Sequence, residues 1–383
     1  MINDLIEFIR DEYKTNKFIP LHAPCISNDD KKYVLDTIDS TFVSSVGKYV
    51  DLFEDKLSHY TKSVGSVAVS NGTSALHTSL ILSGVSSNDL VITQPLTFVA
   101  TCNAIYYCNA DPIFIDIDIN RLTLCPKSLE HWLQSNADIN NLGECIHVKT
   151  RRKIKACVPM HTFGHPAEID LIVAICKKWN IAVIEDAAES LGSFFKGKHT
   201  GTYGEFGAIS FNGNKIITTG GGGMILCSSI KKKELAKHVT TTAKIAHDFE
   251  FIHDMKGYNY RMPNLNAALG CSQLEKLDMF LNSKRELALK YKEFFKNSEY
   301  TFFEEPADSK SNYWLNTIIC RNKNERDFLI KNTNKEGINT RPSWELMSNL
   351  KIYSKSIKGD IENAEELSTR IVNLPSSVNN ILN

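Results

Sequence analysis

The chain has 383 residues, 42% hydrophobic and 23% charged, enough apolar mass for one large domain and a smaller one. Lysine plus arginine (44) balances aspartate plus glutamate (44), so nothing in the bulk charge argues for nucleic acid or an acidic membrane surface as partner. Ten cysteines are scattered without a Cys-x-x-Cys pair, which disfavours a structural zinc site, and no metal is expected.

The N-terminus, MINDLIEFIRDEYKTNKF, carries acids and lacks a signal peptide's apolar stretch. No run of about 18 apolar residues appears, so a cytoplasmic chain with reduced thiols and no membrane span is expected. Residues 1–30 read as an extension: an amphipathic helix carrying Leu5, Ile6, Phe8 and Ile9, then the extended, proline-bearing FIPLHAP. From about 65 to 240, short apolar runs alternate with helical segments. The runs are SVAVS (66–70), LVITQ (90–94), DPIFIDI (111–117), KACVPM (155–160), IAVIED (181–186), GAISF (207–211) and GMILCS (223–228). That alternation predicts an α/β fold with a mostly parallel sheet, whose ligands gather at the carboxyl ends of the strands. From Asn264, just after Pro263, a helical pattern continues to about Phe295. The expected organisation is an extension over 1–30, a large domain over 31–263, a connecting helix over 264–299 and a small C-terminal α/β domain over 300–383. The last contains a strand at YWLNTIIC (313–320) and a helix at NERDFLIKNT (324–333).

Four segments carry chemistry. SNGTSAL (70–76) follows a strand and opens a helix, so Gly72, Thr73 and Ser74 form either a phosphate cradle or a plain helix cap. Asp186 ends an apolar strand, where its carboxylate either pairs with a cation or caps a following helix, and Glu189 follows three residues later. Ser210 also ends a strand, and Lys215 lies five residues on in a turn rich in asparagine and glycine, ahead of four glycines. A lysine forms an imine well only where its amine sheds its charge; a lone loop lysine is otherwise a solvated one. GYNYRMPNLNAALG (257–270) offers Asn259 and Arg261 as anion donors or as a capped helix entrance. Phe98 in TFVAT (97–101) is suited to stacking on a planar ring, and Arg341 with Trp344 in TRPSW (340–344) to a sugar or nucleotide edge. For Phe98 and for the Arg341–Trp344 pair alike, a structural role is the commoner outcome.

Taken in order, SNGTSAL, TFVAT, HTFGHPAEID, VIEDAAESLG, SFNGNK, GGGG and GYNYRMPNLNAALG resemble the sugar aminotransferase family named for DegT, DnrJ, EryC1 and StrS. The resemblance covers roughly residues 18 to 345. It implies the fold type I, aspartate aminotransferase-like architecture of the PLP-dependent transferases, pyridoxal 5'-phosphate (PLP) as cofactor and glutamate as amino donor. It also implies a homodimer with shared active sites. By position, Lys215 matches the residue that binds the cofactor covalently, Asp186 the partner of its pyridinium nitrogen and Glu189 a neighbour of its ring hydroxyl. Phe98 matches the stacking aromatic, and Gly72, Thr73, Ser74 and Ser210 match the phosphate site. Asn259 matches a phosphate contact from the other subunit, with Arg261 beside it. His161, Arg341 and Trp344 are expected on the substrate side. Family dehydratases carry histidine where this chain has Lys215, which favours amination.

The opening extension, SSVGKYV (44–50) and TRPSWELM resemble the LegC-like branch. That implies transfer to C4 of a UDP-linked 4-keto-6-deoxy-N-acetylglucosamine on routes to bacillosamine and legionaminic acid. The alternatives are a perosamine-like GDP- or dTDP-keto-sugar aminotransferase, a PLP sugar dehydratase, and a PLP-binding regulator without catalysis.

Overall fold

The computed structural model describes residues 1–378, so the end of the expected small domain, 379–383, lies outside the described residues. All seven apolar runs form strands: β1 (Gly65–Val69), β2 (Leu90–Thr93), β3 (Asp111–Phe114), β4 (Ile154–Val158), β5 (Ala182–Asp186), β6 (Phe206–Ser210) and β7 (Gly223–Cys227). They lie side by side as β1-β7-β6-β5-β4-β2-β3, with Ile357–Lys358 added beside β3. Neighbours are parallel except at β7, which runs antiparallel to both β1 and β6. Helices cover both faces, which is why these strands are apolar on successive residues rather than on alternate ones.

The connecting helix is two helices, Asn264–Glu275 and Leu277–Phe295, broken at Lys276. The Lys276 ammonium reaches back to Asp30 Oδ1 (2.7 Å) and Ser27 Oγ (3.0 Å) at the start of helix Asn28–Asp39, so the break is tied to a specific partner.

The extension is a layer of the small domain. Helix Ile2–Tyr13 buries Leu5 and Ile9 against Tyr291, Phe302 and Leu329, each aliphatic side chain contributing about 1.5–3 kcal/mol. The chain then runs as a strap along that domain. Ile19 donates to Gly337 O (2.9 Å) and accepts from Asn339 N (2.9 Å), and Leu21 O accepts from Ser376 N (2.7 Å). The small domain's own sheet is antiparallel: Thr301–Phe302, Asn316–Ile319, Ile371–Leu374 and Arg341–Pro342, in that order.

Two expectations need correcting. The strand expected over 313–320 begins only at Asn316, because Tyr313 adopts a left-handed backbone (φ 46°) that turns Trp314 out of the ladder. The small domain is not continuous over 300–383 either. Met347 N bonds Pro95 O (2.9 Å), Tyr353 packs beside Cys102 and Phe114, and Ile357–Lys358 pairs with β3, so this stretch belongs to the large domain. The detour covers an edge that β3 would otherwise leave open.

Candidate active site

The carboxyl ends of β1, β4, β5 and β6 converge, and side-chain alternation decides what each delivers. Asp186 closes β5 at 3% exposure. Its Oδ2 accepts the Thr101 hydroxyl (2.7 Å) and its Oδ1 accepts the Ala188 N–H (3.2 Å). Burial raises this carboxyl above the usual aspartate range, against the pull of those donors and of Lys215. Glu189 sits at the start of the next loop; its Oε2 accepts Phe163 N–H (3.0 Å), and its Oε1 lies 3.2 Å from Lys215 Nζ. Burial pushes Glu189 up to about 7, with the Lys215 charge acting the other way.

Lys215 Nζ also lies 4.0 Å from the centre of the Trp314 ring, a favourable place for an ammonium. That indole is fixed at both ends. Its Nε1 donates to Asn214 O (2.6 Å), and its backbone N–H donates to Asn312 Oδ1 (2.8 Å). Asn312 Nδ2 in turn donates to Glu189 O (2.8 Å) and Leu191 O (2.9 Å), which locks the small domain onto the loop after β5.

The turn from β1 into helix Gly72–Leu82 brings the chain against Ser210 and β7. A Cβ on Gly72 would stand 2.9 Å from Ser210 Cβ, and one on Gly223 would stand 2.5 Å from the Asn71 carbonyl carbon. Both glycines therefore permit the close approach. Asn71, Gly72, Thr73, Ser210, Asp186 and Lys215 line one cavity of about 280 Å³, with Phe98, half exposed, at its side. A larger groove of about 580 Å³ shares Asn214, Trp314 and Trp344 with this cavity. Arg341, on the edge strand of the small domain, lines that groove, and Trp344 packs between Phe163 (5.0 Å) and Phe98 (6.2 Å).

Some sequence-derived assignments move. Ser74 turns inward: its N–H is taken by Asn71 Oδ1 (2.7 Å) and its hydroxyl meets Ser70 Oγ (3.0 Å), leaving Thr73 and Gly72 at the wall. His161 is fully buried and not available to a substrate. Its Nδ1 accepts Ala167 N–H (3.1 Å), so Nε2 carries the proton that faces Glu185 (3.1 Å), which in turn binds the N–H groups of Gly201 and Gly204. Its neighbour Met160 faces the cavity instead. Asn259 and Arg261 are exposed and bonded to each other (3.0 Å), away from this chain's own cavity wall. Thr101, Trp314 and Asn214 went unassigned in the sequence. Thr101 lay in the TFVAT motif that pointed to Phe98, and Trp314 lay inside an expected strand.

The pattern of the DegT/DnrJ/EryC1/StrS aminotransferase family matches residues 24–380. The chain belongs to this family. It is 38% identical over 361 residues to a GDP-perosamine synthase of Escherichia coli O157:H7, covering 94% of this chain and 93% of that one. It is 34% identical over 371 residues to a putative pyridoxal phosphate-dependent aminotransferase, EpsN, of Bacillus subtilis (strain 168), covering 95% and 92%. Among solved structures it superimposes on Helicobacter pylori PseC, an aminotransferase involved in pseudoaminic acid biosynthesis, with a TM-score of 0.84 at 25% identity over 94% of each chain. The protein is a PLP-dependent nucleotide-sugar aminotransferase.

The residues present fit that cofactor. A buried carboxylate with only neutral hydrogen-bond donors on it suits a pyridinium nitrogen, and the glycine-bounded helix start suits a phosphate. Among the described residues, no group of three or more His, Cys, Asp or Glu is placed to hold a metal ion, and no helix is long and apolar enough to cross a membrane.

Proposed function

We propose that the chain transfers the amino group of glutamate to C4 of a GDP-linked 4-keto-6-deoxyhexose, giving a perosamine-type amino sugar. What carries this reading is the cavity holding Lys215 beside a larger groove walled by aromatic rings, amides and Arg341, in a chain 38% identical to a GDP-perosamine synthase. The UDP-N-acetyl reading that the LegC-like motifs suggested is the less supported of the two, since GDP-perosamine synthases of three organisms align over 94% of the chain.

PLP, when bound, supplies an electron sink next to the carbon that loses and regains a proton. In this reading Asp186 holds the ring nitrogen's proton, and Gly72, Thr73 and Ser210 bind the phosphate. Lys215 binds the cofactor, and its freed Nζ then moves the substrate proton, a role worth about 10²–10⁴-fold. Glu189 and Trp314 keep that amine at the boundary between cavity and groove.

The same reading includes a homodimer with shared sites. Asn259 and Arg261 are exposed beside an aromatic excursion in which Phe249 and Phe251 are 80% and 82% exposed, a surface suited to a second copy. Mixing Lys215→Ala with Asn259→Ala subunits, with exchange verified by mass, is expected to restore activity; no rescue would show that each chain works alone. The substrate is tested by supplying GDP-, UDP- and dTDP-linked 4-keto sugars with glutamate and identifying the product. Turnover of the UDP-linked N-acetyl sugar in preference to the GDP-linked one sinks the substrate assignment.

A further inference from the structure

The groove carries one polar group that the reading above does not use. His22, in the FIPLHAP strap, stands on the groove wall, and both ring nitrogens are shielded from solvent without a hydrogen-bond partner in the chain. Leaving such atoms unpaired is costly, which points to a partner arriving from outside. The ring's position is set by its backbone: Leu21 O accepts from Ser376 N (2.7 Å), and Ala23 N donates to Ser377 Oγ (2.9 Å). Burial, with the charges of Lys284 and Lys215 acting the same way, holds His22 well below the usual histidine range. A neutral imidazole has one donor and one acceptor nitrogen. Turned toward the groove, one ring nitrogen can give to a sugar hydroxyl or take from it, since a hydroxyl does either, whereas a phosphate can use only the donor nitrogen. The wall around it repeats the theme: Asn214, Asn339 and Asn373 are donor–acceptor amides, and among the described residues no aspartate or glutamate lines the groove.

We propose that His22 is a specificity-determining residue that binds a hydroxyl-bearing edge of the hexose in this groove. The inference rests on the reading that a nucleotide-linked keto sugar is aminated here.

The test separates the two half-reactions of the holoenzyme. The glutamate half is followed by the cofactor's visible absorbance, and the sugar half with two substrates: a GDP-linked 4-keto-6-deoxyhexose, hydroxylated at C2, and a UDP-linked 4-keto-6-deoxy-N-acetylglucosamine, which has an amide there. His22→Phe is expected to lower kcat/KM for the hydroxylated sugar about 10- to 100-fold, mostly through KM, with the glutamate half within about twofold. His22→Gln, which keeps a donor and an acceptor, is expected to recover most of that loss. A His22→Phe enzyme that handles this sugar within twofold of the unaltered chain overturns the inference and leaves the amination reading standing. Equal slowing of both half-reactions, unrescued by His22→Gln, marks a structural role and overturns it too. A loss confined to the acetamido sugar overturns the hydroxyl assignment. Failure of the unaltered chain to aminate either sugar overturns this inference together with the function it rests on.

Discussion

The cofactor cavity and the groove beside it are built in different ways. The cavity takes its residues from strand ends of one sheet, each in a short contiguous motif: 71–73 after β1, 186–189 after β5, 210–215 after β6. The groove is assembled from distant pieces: the strap at 18–22, Trp314 at a turn, and 339–344 on an edge strand. Shared sheet geometry positions the first, whereas packing of the small domain positions the second. On the proposed reading, cavity chemistry serves both half-reactions, while the part of the groove that the cavity does not share serves the sugar.

Lys215→Ala tests the cavity most severely. It is expected to remove both half-reactions, by on the order of 10³-fold or more, together with the cofactor's lysine-bound absorbance. Asp186→Asn follows at about 100-fold, equivalent to ~2.7 kcal/mol, again in both halves. Thr101→Val deletes the hydroxyl that Asp186 accepts and should cost about tenfold in both. A loss in the sugar half alone would break the division for either variant. Arg341→Ala probes the other side: a rise of about three- to tenfold in KM for the keto sugar, with the glutamate half unchanged, sharpens the division, and slowing of both blurs it.

The smallest effect concerns acidity. Glu189 titrates near 7 in the folded cavity and near 4.5 when exposed, so between those values the folded chain holds more protons than the unfolded one. Stability of the cofactor-free protein should fall as pH rises through that window, by up to about 1.4 kcal/mol per pH unit from this group. Denaturant unfolding of the Glu189→Gln variant across pH 4.5 to 7 should show a flatter profile. An identical slope would place the titration elsewhere.

The same division explains what was legible in the sequence. Seven apolar runs became seven strands because burial on both faces leaves an unambiguous signature, and strand ends then located Asp186, Ser210 and Lys215. His161 failed on the same logic: at a strand end, one residue of register separates the cavity side from the core side, and Met160 took the cavity position. Trp314 was hidden because a left-handed Tyr313 interrupts a run whose composition reads as continuous strand. His22 was hidden because nothing local distinguishes a strap that lines a groove from an extended linker. Substrate preference was hard to read for a related reason, since on the proposed reading it rests on the groove, where motifs are short and scattered.

The strand Ile357–Lys358 has a consequence for the order in which the molecule is made. It caps β3, whose residues 111–114 leave the ribosome some 240 residues earlier. Through most of synthesis the nascent large domain presents that edge with no neighbour, an invitation to pair with another growing chain. Replacing Ile357 with proline, which disturbs this pairing and leaves the rest of the chain in place, should therefore increase aggregation during synthesis even though every residue of the cofactor cavity is present.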